Sequence, residues 1–287
     1  MITRNDFIRE GGVTKLFRYS ITAALENIPN RAPVVLRGTV RYCAQKAAQF
    51  GYDALELHLK DPRNYDGPDM KRAADHYGIR FSAIATGMEY TVNGLSLIDD
   101  DPAKRKQAVD RLKEHIDLCQ TLDCILIIGI MRSNIRNFDS YALYERYLTS
   151  NLEELSDYAG KKKVVIVLES ITRYINNYLN TVQETTDFLK KINKENLLMH
   201  IDTHSMNIED ADLVESVKYC ADTLGYVHYS DSNRMYPGAG HINFREISEI
   251  LKKIDYRGYI GIECLPLPDE DSCCELALRY VKAIEPK

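Results

Sequence analysis

Apolar runs suited to buried strands alternate with stretches of helical spacing along this chain. The runs lie at 17–24, 54–59, 80–86, 124–129, 164–169, 197–202, 226–230 and 258–263. The helical patterns follow at 39–50, 69–77, 101–122, 140–158, 181–192, 210–221, 243–253 and 270–284. A strand that is always followed by a helix predicts a parallel sheet, and eight such units predict an α/β fold of the (β/α)8, or TIM barrel, type. Later runs such as Val164-Val-Ile-Val-Leu are almost continuously aliphatic, as strands covered on both faces should be. An open doubly wound sheet is the alternative. No glycine-rich dinucleotide fingerprint follows any run, which weighs against it. The expectation is a single barrel domain over residues 1–287, with 1–16 as a polar lead-in.

Local signals support the boundaries. Gly51 and Gly78 close the first two helices, where a left-handed residue ends a helix readily. Asp101-Pro102 opens the third, with an N-cap carboxylate before a proline in the first turn. Asn27 to Pro33 carries two prolines and two asparagines and reads as a long first loop.

Four runs end in residues with chemistry: Leu168-Glu169, Ile201-Asp202, Val227-His228 and Ile262-Glu263. In a barrel the C-terminal strand ends converge on one rim, where active sites sit. Any one of these side chains could cap a loop or pair with an arginine. Four at successive strand ends outline a site for a divalent metal ion. Three carboxylates and one imidazole suit Mn, Mg or Co; Zn can also bind, though it favours more His or Cys.

Further candidates surround that rim. Glu56 and His58 alternate with Leu55, Leu57 and Leu59, so both are expected to point inward, either as substrate contacts or as satisfied core groups. Arg132, after Gly129-Ile-Met, is expected either to reach a substrate phosphate, which a guanidinium matches bidentately, or to form a surface ion pair. His241, in the Gly238-Ala-Gly-His turn, is a candidate wall of the site. His76, His115 and His200 read as structural, Tyr226 and Tyr229 as packing, and Cys264 as a small buried hydrophobe.

Composition narrows the partners. The net charge is -5 and no Lys/Arg-rich run occurs, so nucleic acid is not expected as a main partner. No apolar run reaches the ~18 residues of a membrane span. Met1 to Glu10 is polar, and the seven cysteines include no CxxC pair. A reducing cytoplasm is the expected compartment.

The motifs Leu168-Glu169, Ile201-Asp202-Thr203, His228-Tyr-Ser-Asp-Ser-Asn-Arg234, Pro237-Gly-Ala-Gly-His241 and Gly261-Ile-Glu263 carry a resemblance from about residue 50 to the C-terminus. The chain resembles the xylose-isomerase-like barrel superfamily of sugar isomerases and epimerases. Within it, it is most similar to the ketose 3-epimerases: D-tagatose/D-psicose 3-epimerases and L-xylulose-5-phosphate 3-epimerases. The resemblance implies a divalent ion on Glu169, Asp202, His228 and Glu263. It implies that Glu169 and Glu263 also act as acid and base at C3 of a ketose or ketose phosphate, through a cis-enediolate. Arg234 falls where the family places a substrate-holding arginine.

Two departures stand out. The family's Asp-Thr-x-His reads Asp202-Thr203-His204-Ser205 here, with the histidine one position early, so His204 is a candidate substrate contact in an altered place. A glutamate common six residues after the first ligand is Ile175. Aldose–ketose isomerisation and inosose dehydration are alternatives on the same site. A DNA-repair endonuclease of this fold would need more histidines than seven and a basic face. A non-catalytic barrel would not need an intact ligand set. Homodimers and tetramers are common in the group it resembles.

Overall fold

The computed structural model describes residues 15–29 and 31–287; residues 1–14 of the expected polar lead-in, and Asn30 of the expected first loop, lie outside them. Eight parallel strands form the barrel: β1 (Arg18–Ala24), β2 (Ala54–His58), β3 (Arg80–Ala85), β4 (Ile125–Ile128), β5 (Ile166–Glu169), β6 (Leu197–Asp202), β7 (Leu224–Tyr229) and β8 (Tyr259–Ile262). Each pairs with the next, and β8 pairs with β1 to close the ring. Because β8 reaches only as far as Ile21, the short extended pair Leu36–Arg37 takes up the free edge of Ala23 and Ala24.

The helices are α1 (Val40–Phe50), α2 (Gly67–Asp75), α3 (Gly87–Thr91), α4 (Pro102–Leu122), α5 (Tyr141–Lys162), α6 (Val182–Ile192), α7 (Thr203–Glu209), α8 (Leu213–Tyr219), α9 (Phe244–Lys253) and α10 (Glu270–Ala283). Their starts follow the capping chemistry. Asp101 accepts from the Ala103 amide at the head of α4, and Thr181 with Glu184 forms a capping box on α6. The sequence did not announce α3 or α7. In α7 a helix starts directly on the last residue of β6, because the Asp202 carboxylate accepts from the Ser205 amide and serves as N-cap.

Alternation along the strands divides the core in two. Ile21, Leu55, Leu57, Ile166, Leu168, Ile201, Val227, Ile260 and Ile262 belong to the large core shared with the helices. A smaller cluster of Ala83, Ala85, Ile127, Val165, Val167 and Tyr226 fills the lower barrel. Ser20, Thr22, Glu56, His200, Asp202 and His228 are polar yet buried. No helix among the described residues is long and apolar enough to cross a membrane.

Candidate active site

The period of two along a strand puts Glu169, Asp202 and His228 on the barrel-facing side at the ends of β5, β6 and β7, with Glu263 one residue beyond β8. Their ligand-type atoms lie within 4.8 Å of one another. Nδ1 of His228 lies 3.4 Å from Glu263 Oε2 and 3.9 Å from Asp202 Oδ2, and it has no hydrogen-bond partner. A buried imidazole nitrogen facing three carboxylates without a bond of its own fits a cation ligand.

The other nitrogen of His228 fixes the ring. Nε2 lies 2.7 Å from Glu56 Oε2, the arrangement that orients a ligating imidazole and sets its tautomer. Glu56 also accepts from the Tyr226 hydroxyl at 2.9 Å and pairs with His58 Nε2 at 3.1 Å. The Tyr226 hydroxyl in turn meets Ser20 and Ser82. Glu56 and His58 therefore do point inward, as the alternation predicted. Tyr226, read as packing, proves to be the polar hub beneath the site. The signal available was its position two residues before His228 on one strand.

Arg234 bridges two of the four. Its Nη1 lies 2.5 Å from Asp202 Oδ2, and its Nη2 donates to Glu263. Its backbone sits in the left-handed region, at φ 62°, which a side chain adopts at a cost. Three main-chain bonds hold it there: Arg234 N to Asp231 O, Asp231 N to Met235 O and Leu265 N to Arg234 O. Asp231, which sequence reasoning passed over, organises this loop. Its buried carboxylate accepts from the amides of Ser232, Gly238 and Ile242. A Cβ at Gly240 would come within 2.3 Å of Asp231 Oδ1, so the glycine lets the loop wrap that carboxylate.

The charges set the carboxylates apart. Burial and the neighbouring Glu263 charge push Glu169 up to about 8. Burial raises Glu263 too, but His228 and Arg234 hold it well below the usual range. Glu56 is likewise raised by burial, yet His228 and His58 bring it down to about 2. Two carboxyls in one site with opposite shifts are the electrostatic form of an acid and a base.

Two expected contacts sit elsewhere. Arg132 is fully buried. Its Nη1 donates to the Glu169 carbonyl and its Nη2 to the Leu179 carbonyl at 3.1 Å. With its terminal nitrogens given to main-chain oxygens, it is turned to neither a substrate phosphate nor a surface ion pair. It ties the β4 end to the loop after β5. His204, on α7, points its Nδ1 at the Asp231 carbonyl, 3.1 Å away, and His241 bonds Ser232 at the surface. A cavity of about 770 Å³ lies at the opposite end of the barrel around Phe81, Ile125, Leu198 and Tyr259. None of its lining residues belongs to the cluster at the mouth.

A family model described as a xylose isomerase-like TIM barrel matches residues 44–273. The chain belongs to this family. It is 34% identical over 223 residues to an L-ribulose 3-epimerase of Methylomonas sp., covering 76% of this chain and 75% of that protein. It is 29% identical over 226 residues to a ketose 3-epimerase of Arthrobacter globiformis, covering 78% and 77%. These relatives are isomerases that act on sugars. Among solved structures, a D-allulose 3-epimerase of Methylomonas sp. in complex with D-allulose superposes with a TM-score of 0.80 at 28% identity, over 93% of this chain and 96% of that one. A D-psicose 3-epimerase with D-tagatose from Clostridium cellulolyticum H10 gives 0.80 at 23% identity over 94% and 100%, a likeness of fold.

Proposed function

We propose that this protein is a divalent-metal-dependent epimerase that inverts C3 of an unphosphorylated ketose. The observation that carries the reading is the cluster of Glu169, Asp202, His228 and Glu263, whose ligand atoms lie within 4.8 Å of one another. These four residues would hold the ion. A divalent ion held there would supply positive charge that favours loss of the C3 proton.

The chain's own residues do the rest. Glu263, paired with the Arg234 guanidinium, takes the proton from C3 on one face. Glu169, across the cluster at the end of β5, delivers a proton to the other face. Inversion requires two groups, since one base would return the proton where it came from. The electrons left at C3 delocalise as a cis-enediolate over C2 and C3 of the sugar. Arg234, aimed between Asp202 and Glu263, orients the substrate's oxygens. Glu56 holds the His228 ring. His58, 3.8 Å from Glu263 Oε1 and near the open mouth, contacts the sugar further out, and His204 holds the Asp231 end of the Arg234 loop. The burial of Arg132 supports a free ketose over a ketose phosphate.

Turnover in deuterated water tests the chemistry. Product should carry deuterium at C3. Glu169→Gln and Glu263→Gln should each abolish epimerisation, because an amide takes no proton, while one-face exchange at C3 can persist. Deuterium at C1 with an aldose product would mean isomerisation and overturn the assignment. EDTA should abolish activity, and Mn or Co should restore it.

A further inference from the structure

One buried residue is left unexplained by this chemistry. His200 is fully buried on β6, and neither ring nitrogen has a hydrogen-bond partner among the described residues. Leaving a buried polar group unpaired costs about 1–3 kcal/mol. A phenylalanine or leucine would fill the same space without that cost. His200 stands two residues before Asp202, so it faces the barrel axis one layer below the mouth. Its ring meets His228 edge-on at 4.3 Å between centroids and Tyr226 at 5.3 Å. Ligand-type atoms of Glu169, His200 and His228 lie within 4.8 Å of one another, a set that contains neither Asp202 nor Glu263.

We propose that Glu169, His200 and His228 form a second cation position beneath the first, selective for a borderline-soft ion such as zinc. The proposal rests on the reading of the upper cluster as a metal site and adds to it. The donor count decides the selectivity. The upper set has three carboxylates and one imidazole, which suits hard ions that prefer oxygen. The lower set has two imidazoles and one carboxylate, three donors with one position open, which is a tetrahedral zinc environment. The two positions are alternatives. Nε2 of His228 is engaged by Glu56, so its Nδ1 is the nitrogen left for either ion, and one lone pair serves one ion. Zinc in the lower position takes the His228 lone pair from the upper ligand set and so displaces the upper ion, and this form of the protein is inactive.

Counting imidazoles tests this without any substitution. X-ray absorption of zinc-loaded wild-type protein should show two imidazole ligands, and of manganese-loaded protein one. A single imidazole on zinc would overturn the proposal. His200→Leu and His200→Gln should weaken zinc binding at least about tenfold, leave manganese affinity within about twofold and relieve zinc inhibition. Equal losses for both metals would reduce His200 to a packing residue and also overturn it. Asp202→Asn separates the two readings: it should weaken manganese binding and spare zinc. If manganese affinity is unchanged by Asp202→Asn, the upper site fails, whatever the imidazole count shows for the lower one.

Discussion

Nε2 of His228 lies 2.7 Å from Oε2 of Glu56, a contact between residues 172 positions apart in the chain. It makes Glu56 the group that orients the imidazole and raises its basicity. Glu56→Gln keeps an acceptor but loses the charge, and metal affinity should fall about 10–100-fold. Tyr226→Phe removes only the hydroxyl donor to Glu56 and should cost less. Titration with manganese, followed by the loss of its free-ion EPR signal, measures both. Unchanged affinity in Glu56→Gln would contradict this role.

Gly129 lies against the Glu169 carboxylate, where a Cβ would come within 2.5 Å of Oε2 and 3.3 Å of Ile171 Cδ1. Gly129→Ala must therefore move Glu169. A displacement on the order of 1 Å at a proton-transfer group costs about a hundredfold in rate, so kcat should fall by that order while the cooperative thermal transition survives. Wild-type kcat in this variant would show that Glu169 needs no such exact placement.

Arg132 joins the Glu169 and Leu179 carbonyls and lies over the Tyr178 ring, 5.5 Å from its centroid. Arg132→Ala leaves two buried carbonyls without their donor and should destabilise the protein by about 2–4 kcal/mol. Any change in KM should be the same for a ketose and for its phosphate ester. A selective loss of the phosphate ester would instead place Arg132 on the substrate.

Asp210 supplies a pH test away from the site. Its Oδ1 accepts from Val182 N and the Ser216 hydroxyl, and its Oδ2 is buried without a partner among the described residues. Burial pushes its carboxyl up to about 6. A folded-state value above the unfolded one means that the folded protein binds the proton more tightly. The group therefore costs stability above about pH 6, and the cost vanishes below about pH 4. Asp210→Asn should stabilise by about 1–2 kcal/mol at pH 8, after allowance for solvent screening, and the gain should fade as pH falls through that window. Thermal melts at pH 8 and pH 4 measure it; equal effects at both would exclude a charge origin.

The barrel and the four residues at its rim are legible along the chain. Both are local properties: a strand is recognisable from a few aliphatic residues, and its last residue from where the run stops. Parallel closure then brings successive strand ends together without any further information. Alternation with leucines also placed Glu56 and His58 inward, because Leu55, Leu57 and Leu59 claim the helix-facing side.

The remaining contacts come from long-range packing. Strands such as β6 are buried on both faces, so their composition does not announce which residues, His200 among them, face the axis. Arg132 follows its strand as a surface or phosphate-binding arginine would, yet two carbonyls from the neighbouring strand end and loop draw it inside. The acceptor of His228 comes from the far side of the ring, and the support of Arg234 comes from Asp231 and Leu265. Such partners are set by closure of the barrel and loop packing, which bring together groups that no spacing along the chain relates.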